Sequence, residues 1–519
     1  MQFTVIQQGE REPTGLRYCA LLIADRWDDF GFATLFYLVV YDEQGVRRDI
    51  GEVKIGKRGM RRQTSLSLPN RFNQLTPSFF SLGQDDSYYT NLANLGHQTR
   101  DAVLVALRDM VYDEDIYQAS RTEPVTQKSL MRFVQATAVQ DQFRRIARGG
   151  ERIQGFEVIY EPPVPDENSA DSVLLPFAVI PQSIPPTNIH VLIGRNGVGK
   201  SYLLNKLTRC IADKNPDAAD VGRIIEAGRG NLDTFANLVS VTFSAFDEFP
   251  RIPEEDVGID RYSYVGLKVT GPSAGRFPRT KAPDQLARDF AESVEACLTG
   301  RRAQRWVNAL RTLRYAGSGF LQDSWVEDFL AIESPHQRKK KAMDLFKALS
   351  SGHKAVLLTL TRLVEHVTER TLVVIDEPES HLHPPLLAAF IRALSDLLTD
   401  RNGLAIIATH SPVVLQEVPT SCVWKLRRYG EQMVAERPGI ETFGENVGIL
   451  THEVFSLEVT DSGYHRYLKQ LVRQGLTFEE VLSSFGGQLG GEARAITQGL
   501  ITVRDLGGGL GPAVEDRFR

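Results

Sequence analysis

Apolar residues recur along this chain with two different periods, and the change from one to the other marks its elements. Residues 32–41 (FATLFYLVVY) are rich in aromatic and β-branched side chains, a polar turn Asp42-Glu43-Gln44-Gly45 follows, and residues 49–55 alternate apolar and polar positions. That is the pattern of a β-hairpin. Residues 100–118 and 127–148 place apolar side chains at helical spacing, so residues 1–160 read as a mixed α/β module. No chemical motif lies in it. Residues 161–187 are rich in proline and polar residues and predict a loop, an edge strand at 173–180 and another loop. Beyond them, short apolar runs at 188–193, 238–243, 371–376, 404–409 and 422–427 read as buried strands. A helical pattern at 385–399 separates two of them, and 285–347 has helix-forming spacing without strand patterning. Strands alternating with helices imply an α/β fold with a parallel sheet.

These patterns divide the chain into the module 1–160, an α/β core at 161–440 with a helical subdomain at about 285–350, and a helical extension at 441–505. A tail at 506–519 is expected to be disordered. No repeat of fixed period occurs.

Composition narrows the classes. The 519 residues are 42% hydrophobic and 24% charged, ordinary for a globular protein. A net charge of -5 argues against a general polyanion binder. The four cysteines, Cys19, Cys210, Cys297 and Cys422, form no CxxC pair, which fits a reducing compartment, expected to be the cytoplasm. The first residues (MQFTVIQQGEREPTG) lack the pattern of a secretory signal, and no apolar run approaches membrane-spanning length. No membrane partner surface is expected.

The chemistry begins after the run at 188–193. Gly194-Arg195-Asn196-Gly197-Val198-Gly199-Lys200-Ser201 fits G-x-x-x-x-G-K-[ST], between a strand and a helix that starts at Tyr202. Glycines there let successive backbone N–H groups turn inward around a β-phosphate, and the helix N-terminus adds its positive dipole end. Residues 194–202 are the candidate ATP-binding segment: Lys200 is expected to reach the β- and γ-phosphates, and Ser201 to hold Mg²⁺. Further on, Thr371-Leu372-Val373-Val374-Ile375-Asp376-Glu377-Pro378 is an apolar strand ending in two acids. Acids there are costly unless paired or at work. Asp376 is expected to meet Mg²⁺, and Glu377 to act as general base on the attacking water.

Leu349-Ser350-Ser351-Gly352-His353 lies between these motifs, ahead of a long apolar helix at 355–367, and Ala408-Thr409-His410-Ser411-Pro412 ends the next strand. The order of phosphate loop, L-S-[SG]-G-x, Asp-Glu pair and later histidine resembles the ABC ATPases, which include chromosome-maintenance and recombination-repair heads. The resemblance implies an ABC-type P-loop domain with a helical subdomain, working as a head-to-tail homodimer or within a higher homo-oligomer. It implies that Ser350, Ser351 and Gly352 contact ATP of the opposite subunit, and that His410 contacts the γ-phosphate and steadies the water. Ser350 is also a natural cap for the helix that follows. Glu379-Ser380-His381-Leu382-His383-Pro384 stands where the family has its dimer-contact loop, which makes Ser380, His381 and His383 candidate dimer residues. Its form, P-E-x-H-L-H-P, is similar to the branch holding the OLD nucleases, recombination-repair ATPases and the ATPases of anti-phage systems such as Septu and PARIS.

The likeness covers roughly residues 170–430, about half the chain. It departs from the family at one point: no glutamine occurs between Ser201 and Gln285, so Ser244 or Asp247 is left to link Mg²⁺ to the helical subdomain. The interval from Phe243 to Leu349 is too short for long coiled-coil arms, and no L-V-E-G acid motif follows the core, so a nuclease domain is expected to be absent. Basic clusters at 57–62, 144–152, 338–341 and at Arg301, Arg302 and Arg305 read first as solvated surface and second as nucleic-acid contacts. Three functions follow: an ATPase regulating a separate nuclease or toxin in anti-phage defence, a repair ATPase clamping DNA, and, last, the motor of a transporter.

Overall fold

The computed structural model describes the chain apart from residues 26, 63–65, 135, 151–152, 164–172, 227–234, 243–261, 269–279, 299–301, 315–324, 430–431, 462 and 507–519. Ser244, Asp247, Arg301 and most of the expected tail lie outside the described residues.

The first strands are β1 (Gln2–Gln7), β2 (Cys19–Ala24), β3 (Leu35–Tyr41), β4 (Arg47–Lys57), β5 (Arg71–Phe72) and β6 (Phe79–Gly83). They form a sheet in the order β5-β1-β2-β3-β4-β6. The expected hairpin is β3–β4, closing at Tyr41↔Arg47. Its turn is built as the polar run requires: the Asp42 carboxylate accepts from the backbone N–H of Gln44 and Val46 at 3.1 and 2.8 Å, and Gly45 takes φ 82°. The parallel pair β1–β2 is absent from the sequence-based expectations, although Cys19–Ala24 is an apolar run as long as those read as strands in the core. Helix Asp86–Ala93 packs on this sheet, and helices His97–Ala106 and Glu114–Ser120 and shorter turns at 126–147 extend its core, which holds Phe80, Leu82, Tyr88, Leu104 and Leu107.

The remaining strands are β7 (Phe156–Glu161), β8 (Leu175–Val179), β9 (Ile189–Ile193), β10 (Arg223–Glu226), β11 (Asn237–Thr242), β12 (Tyr262–Gly266), β13 (Thr371–Asp376), β14 (Leu404–Thr409), β15 (Val423–Tyr429) and β16 (Gln432–Glu436). β10-β7-β8 make a small antiparallel sheet, and the central sheet has the order β12-β11-β13-β14-β9-β15-β16. β12, β11, β13 and β14 pair parallel in succession, as does β9 with β15, and the β15–β16 ribbon is antiparallel. The fold is α/β, as the alternation predicted.

Every side chain of β9, β13 and β14 is buried, which is why they read as continuous apolar runs. Helix Pro384–Asp400 starts with proline in its first turn and buries Leu386, Leu387, Phe390, Ile391, Leu394, Leu397 and Leu398 along one stripe. It ends where Asn402 turns left-handed at φ 49°. At Gly403 a β-carbon would lie 3.0 Å from the Thr371 carbonyl oxygen. The expected helical subdomain contains helices Pro283–Cys297, Arg302–Leu313, Trp325–Leu330 and Pro335–Ala348. Helices Val447–Asp461, Gly463–Arg473, Phe478–Ser484 and Gly491–Asp505 follow the core, the last three around Leu468, Val481 and Leu489.

By internal contacts the chain divides into two compact units, Met1–His190 with Ser201–Ala408, and Val191–Lys200 with Thr409–Arg519.

Candidate nucleotide site

The phosphate loop follows β9 directly. A β-carbon on Gly194 would come within 2.5 Å of the Leu426 carbonyl oxygen, so only glycine fits there. Gly197 and Gly199 take φ 79° and 103°, the left-handed turns that curl the loop. Val198 is buried, and its N–H points at Arg195 O, 3.4 Å away. Lys200 is 5% exposed; its ammonium donates to the carbonyls of Gly194 and Arg195 at 2.9 and 3.1 Å. A cation folded back over its own loop holds the backbone in a ring.

Helix Lys200–Ala212 starts at that lysine. The Ser201 hydroxyl donates to Asp376 Oδ1 at 3.1 Å, joining the loop's last residue to a position 175 residues on. Tyr202 is 59% exposed, with the Lys206 ammonium 5.3 Å from its ring centre. Asp376 is the last residue of β13 and buried; in register it stands beside Thr242 of β11 and Ala408 of β14. Glu377 takes φ 46°, a left-handed conformation uncommon for glutamate, while its N–H donates to Ala408 O at 2.9 Å. Strain of this kind persists where the surroundings impose it, and it is frequent at functional positions.

The turn Pro378–His381 follows, with the Ser380 hydroxyl donating to Glu377 O at 3.0 Å. Ser380, His381 and His383 are exposed. Ser350 caps helix Ser351–His366, as its position predicts: its oxygen accepts from His353 N–H at 3.4 Å and lies 2.9 Å from His353 Nδ1. Ser350 and Ser351 are exposed. A β-carbon on Gly352 would lie 2.6 Å from His381 O, so the serine-glycine motif and the histidine loop of one chain pack closely. His353 and His383 meet edge to face at 6.4 Å. Burial and the neighbouring His383 lower the His353 pKa. Sequence reasoning assigned no role to His353, though its place after Gly352 could have drawn attention. His410 is exposed and sits just past the end of β14. Among the described residues no cluster of three or more potential ligands marks a metal-only centre, and no helix is long and apolar enough to cross a membrane.

Several of the basic side chains are paired, while Lys57, Arg58, Arg61 and Arg62 are exposed. Arg338 bonds both oxygens of Glu295, Lys339 bonds Glu292, and Arg144 pairs with Glu114. Arg302 lies over the Phe133 ring.

Parallel strands, a glycine loop of the G-x-x-x-x-G-K-[ST] form, a serine-aspartate pair and a left-handed glutamate are the features of a P-loop α/β domain. The chain belongs to the family of protein ea59 of Escherichia phage lambda, to which it is 39% identical over 533 residues, covering 98% of this chain and 99% of that protein. A family model described as "AAA domain, putative AbiEii toxin, Type IV TA system" matches residues 309–416. Similar solved structures include an ATP-binding cassette of an ABC transporter in its ADP conformation (16% identity, 59% of this chain and 99% of that one, TM-score 0.31). A nucleotide-free ATP-binding cassette from an ABC transporter is another (16% identity, 54% and 91%, TM-score 0.27).

Proposed function

We propose that this protein binds MgATP between two copies of itself, hydrolyses it there, and uses the cycle to regulate a separately encoded nuclease or toxin in anti-phage defence. The observation that carries the ATPase reading is the Ser201–Asp376 contact at 3.1 Å, beside the left-handed Glu377. Two hard oxygen donors at the end of a phosphate loop suit Mg²⁺, and the loop whose first glycine admits no β-carbon suits a triphosphate. When bound, the metal would neutralise charge on the β- and γ-phosphates. Lys200 would leave its loop carbonyls for the phosphates, Glu377 would take a proton from the attacking water, and His410 would orient that water. Ser350, Ser351 and Gly352 would complete the site of a second copy, with Ser380, His381 and His383 at the dimer contact. The regulatory part rests on the P-E-x-H-L-H-P form, on the toxin-system family model over 309–416, and on a relative that a phage encodes.

The Glu377→Gln variant tests the chemistry. It should keep ATP affinity, lose hydrolysis by about 10²–10⁴-fold and accumulate as an ATP-bound dimer in light scattering. Hydrolysis at the wild-type rate removes Glu377 as the base, and an ATP-bound monomer removes the shared site. Mass spectrometry of what co-purifies tests the regulation: a stoichiometric nuclease or toxin supports it, whereas DNA alone moves the reading to a repair clamp.

A further inference from the structure

At the amino ends of β13 and β14, away from the acids at their carboxyl ends, lies a cavity of about 300 Å³. Its walls come from the amino-terminal sheet (Glu52, Lys54), the helical subdomain (Arg302, Arg305) and the segment leading into β13 (Thr368, Glu369). Most of its charges are already matched. Arg338 is bonded to Glu295, Lys54 to Asp29, Arg401 to Asp86, and Glu369 accepts from Gln142 at 2.7 Å.

Arg305 differs. Its side chain is only 14% exposed, its nearest carboxylates, Asp85 and Asp400, stand 3.6 and 3.8 Å away, and its buried Nε makes no hydrogen bond. Arg305 and Asp85 also line a second cavity of about 270 Å³. A guanidinium desolvated without hydrogen-bonded compensation is costly; burial and the adjacent Arg401 lower its pKa to about 10. Glu52 and Asp25 add carboxyls to the lining, and burial first, then Asp25 and Asp85, raises the Glu52 pKa against the pull of Lys54. Three aromatic rings complete the lining, the buried Phe143 and two others. Trp27 is 45% exposed with its Nε1–H fixed on Asp29 at 2.9 Å, and Phe133 is flanked by the cations of Arg132, Arg302 and Lys54, 4.8, 5.2 and 5.4 Å from its centre.

We propose that this cavity binds a purine nucleoside monophosphate: the phosphate on Arg305, the ring against Trp27 and Phe133, and N–H groups of the base, the exocyclic amino group among them, donating to Glu52 and Asp25. Aromatic faces, a few convergent polar groups and a volume at the small end of ligand sites fit one mononucleotide. A single undercompensated guanidinium matches one phosphate rather than three. The site is also placed to act at a distance, a part of the inference that rests on the proposed ATPase. Arg338 lies on helix Pro335–Ala348, which leads to Ser350; Thr368 and Glu369 lie between helix Ser351–His366 and β13, whose far end is Asp376.

The test is calorimetric titration of the full-length Lys200→Ala protein, its triphosphate loop disabled, with AMP and with GMP. One of them should bind as it binds the wild type, and Arg305→Gln and Trp27→Ala should each weaken binding at least tenfold. Trp27, being half exposed, keeps the test valid if Arg305→Gln misfolds. No binding of either probe to the wild type overturns the proposal. So does binding that Lys200→Ala abolishes, or that Trp27→Ala leaves intact. With binding in hand, the monophosphate should change the wild-type ATPase rate at least twofold, and an unchanged rate overturns the coupling.

Discussion

β13 and β14 carry charged residues near both ends, and the two ends treat charge in opposite ways. At the carboxyl end Asp376 meets a serine hydroxyl and Glu377 is held in a left-handed turn. At the amino end acids and guanidiniums interlock. The Arg401 guanidinium donates to Asp86, which is fully buried, at 3.1 Å and lies 3.7 Å from Asp85. Glu369 accepts from Gln142 and lies 3.7 Å from Arg145. Burial would lift the Asp85 carboxyl, but Arg401 and Arg305 overcome it and hold it well below the usual range. For Glu369 burial wins over Arg401 and Arg145 and brings the pKa to about 7. The amino end joins the first sheet to the core through charge that must stay matched; in the proposed ATPase the carboxyl end presents charge to a ligand. A buried pair adds little net stability when formed, yet breaking it is expensive.

That contrast can be broken first at Arg401. Arg401→Met leaves Asp86 buried without its cation and should cost about 3–5 kcal/mol, measured by chemical denaturation; a loss below about 1 kcal/mol would mean the interlock is ornamental. Next is the buried Asp109 of the first module, whose pKa burial raises to about 7 from 3.8 despite hydrogen bonds from Val111, Tyr112 and Tyr89. The folded state then keeps a proton that the unfolded chain releases, so stability falls as pH rises from about 4 to about 7, by at most about 4 kcal/mol. Asp109→Asn should flatten that slope relative to wild type; parallel pH curves for the two proteins would contradict the assignment. At the loop after β9 the expectation reverses. Lys200→Ala should reduce ATP affinity on the order of a hundredfold, as loss of charged hydrogen bonds implies, with the melting temperature nearly kept. Unfolding there would erase the distinction between the two kinds of end. The smallest effect is expected at Gly352→Ala, where the new β-carbon crowds His381 O. Shifting that contact should cost about 1–3 kcal/mol, read as weaker ATP-dependent dimerisation.

Local order made much of this legible. The phosphate loop, the hairpin β3–β4, the cap at Ser350 and the buried runs of β9, β13 and β14 are each specified by consecutive residues. Even the Ser201–Asp376 contact could be expected, because each partner sits in its own recognisable motif. The interlock could not. Asp86 and Arg401 are 315 residues apart, Gln142 and Glu369 227 apart, and none lies in a pattern that separates it from the chain's many solvated charges. The arginines at 302, 305 and 338 read as surface, whereas Arg305 and Arg338 are largely buried.

The sequence by itself determined the α/β alternation, the loop that can encircle a phosphate and the acids at the end of β13, since backbone conformation and strand burial are set by neighbours along the chain. Only the tertiary structure decided which distant charges share a cavity, because an arginine's partner depends on where the chain returns, and desolvation acts only once it has.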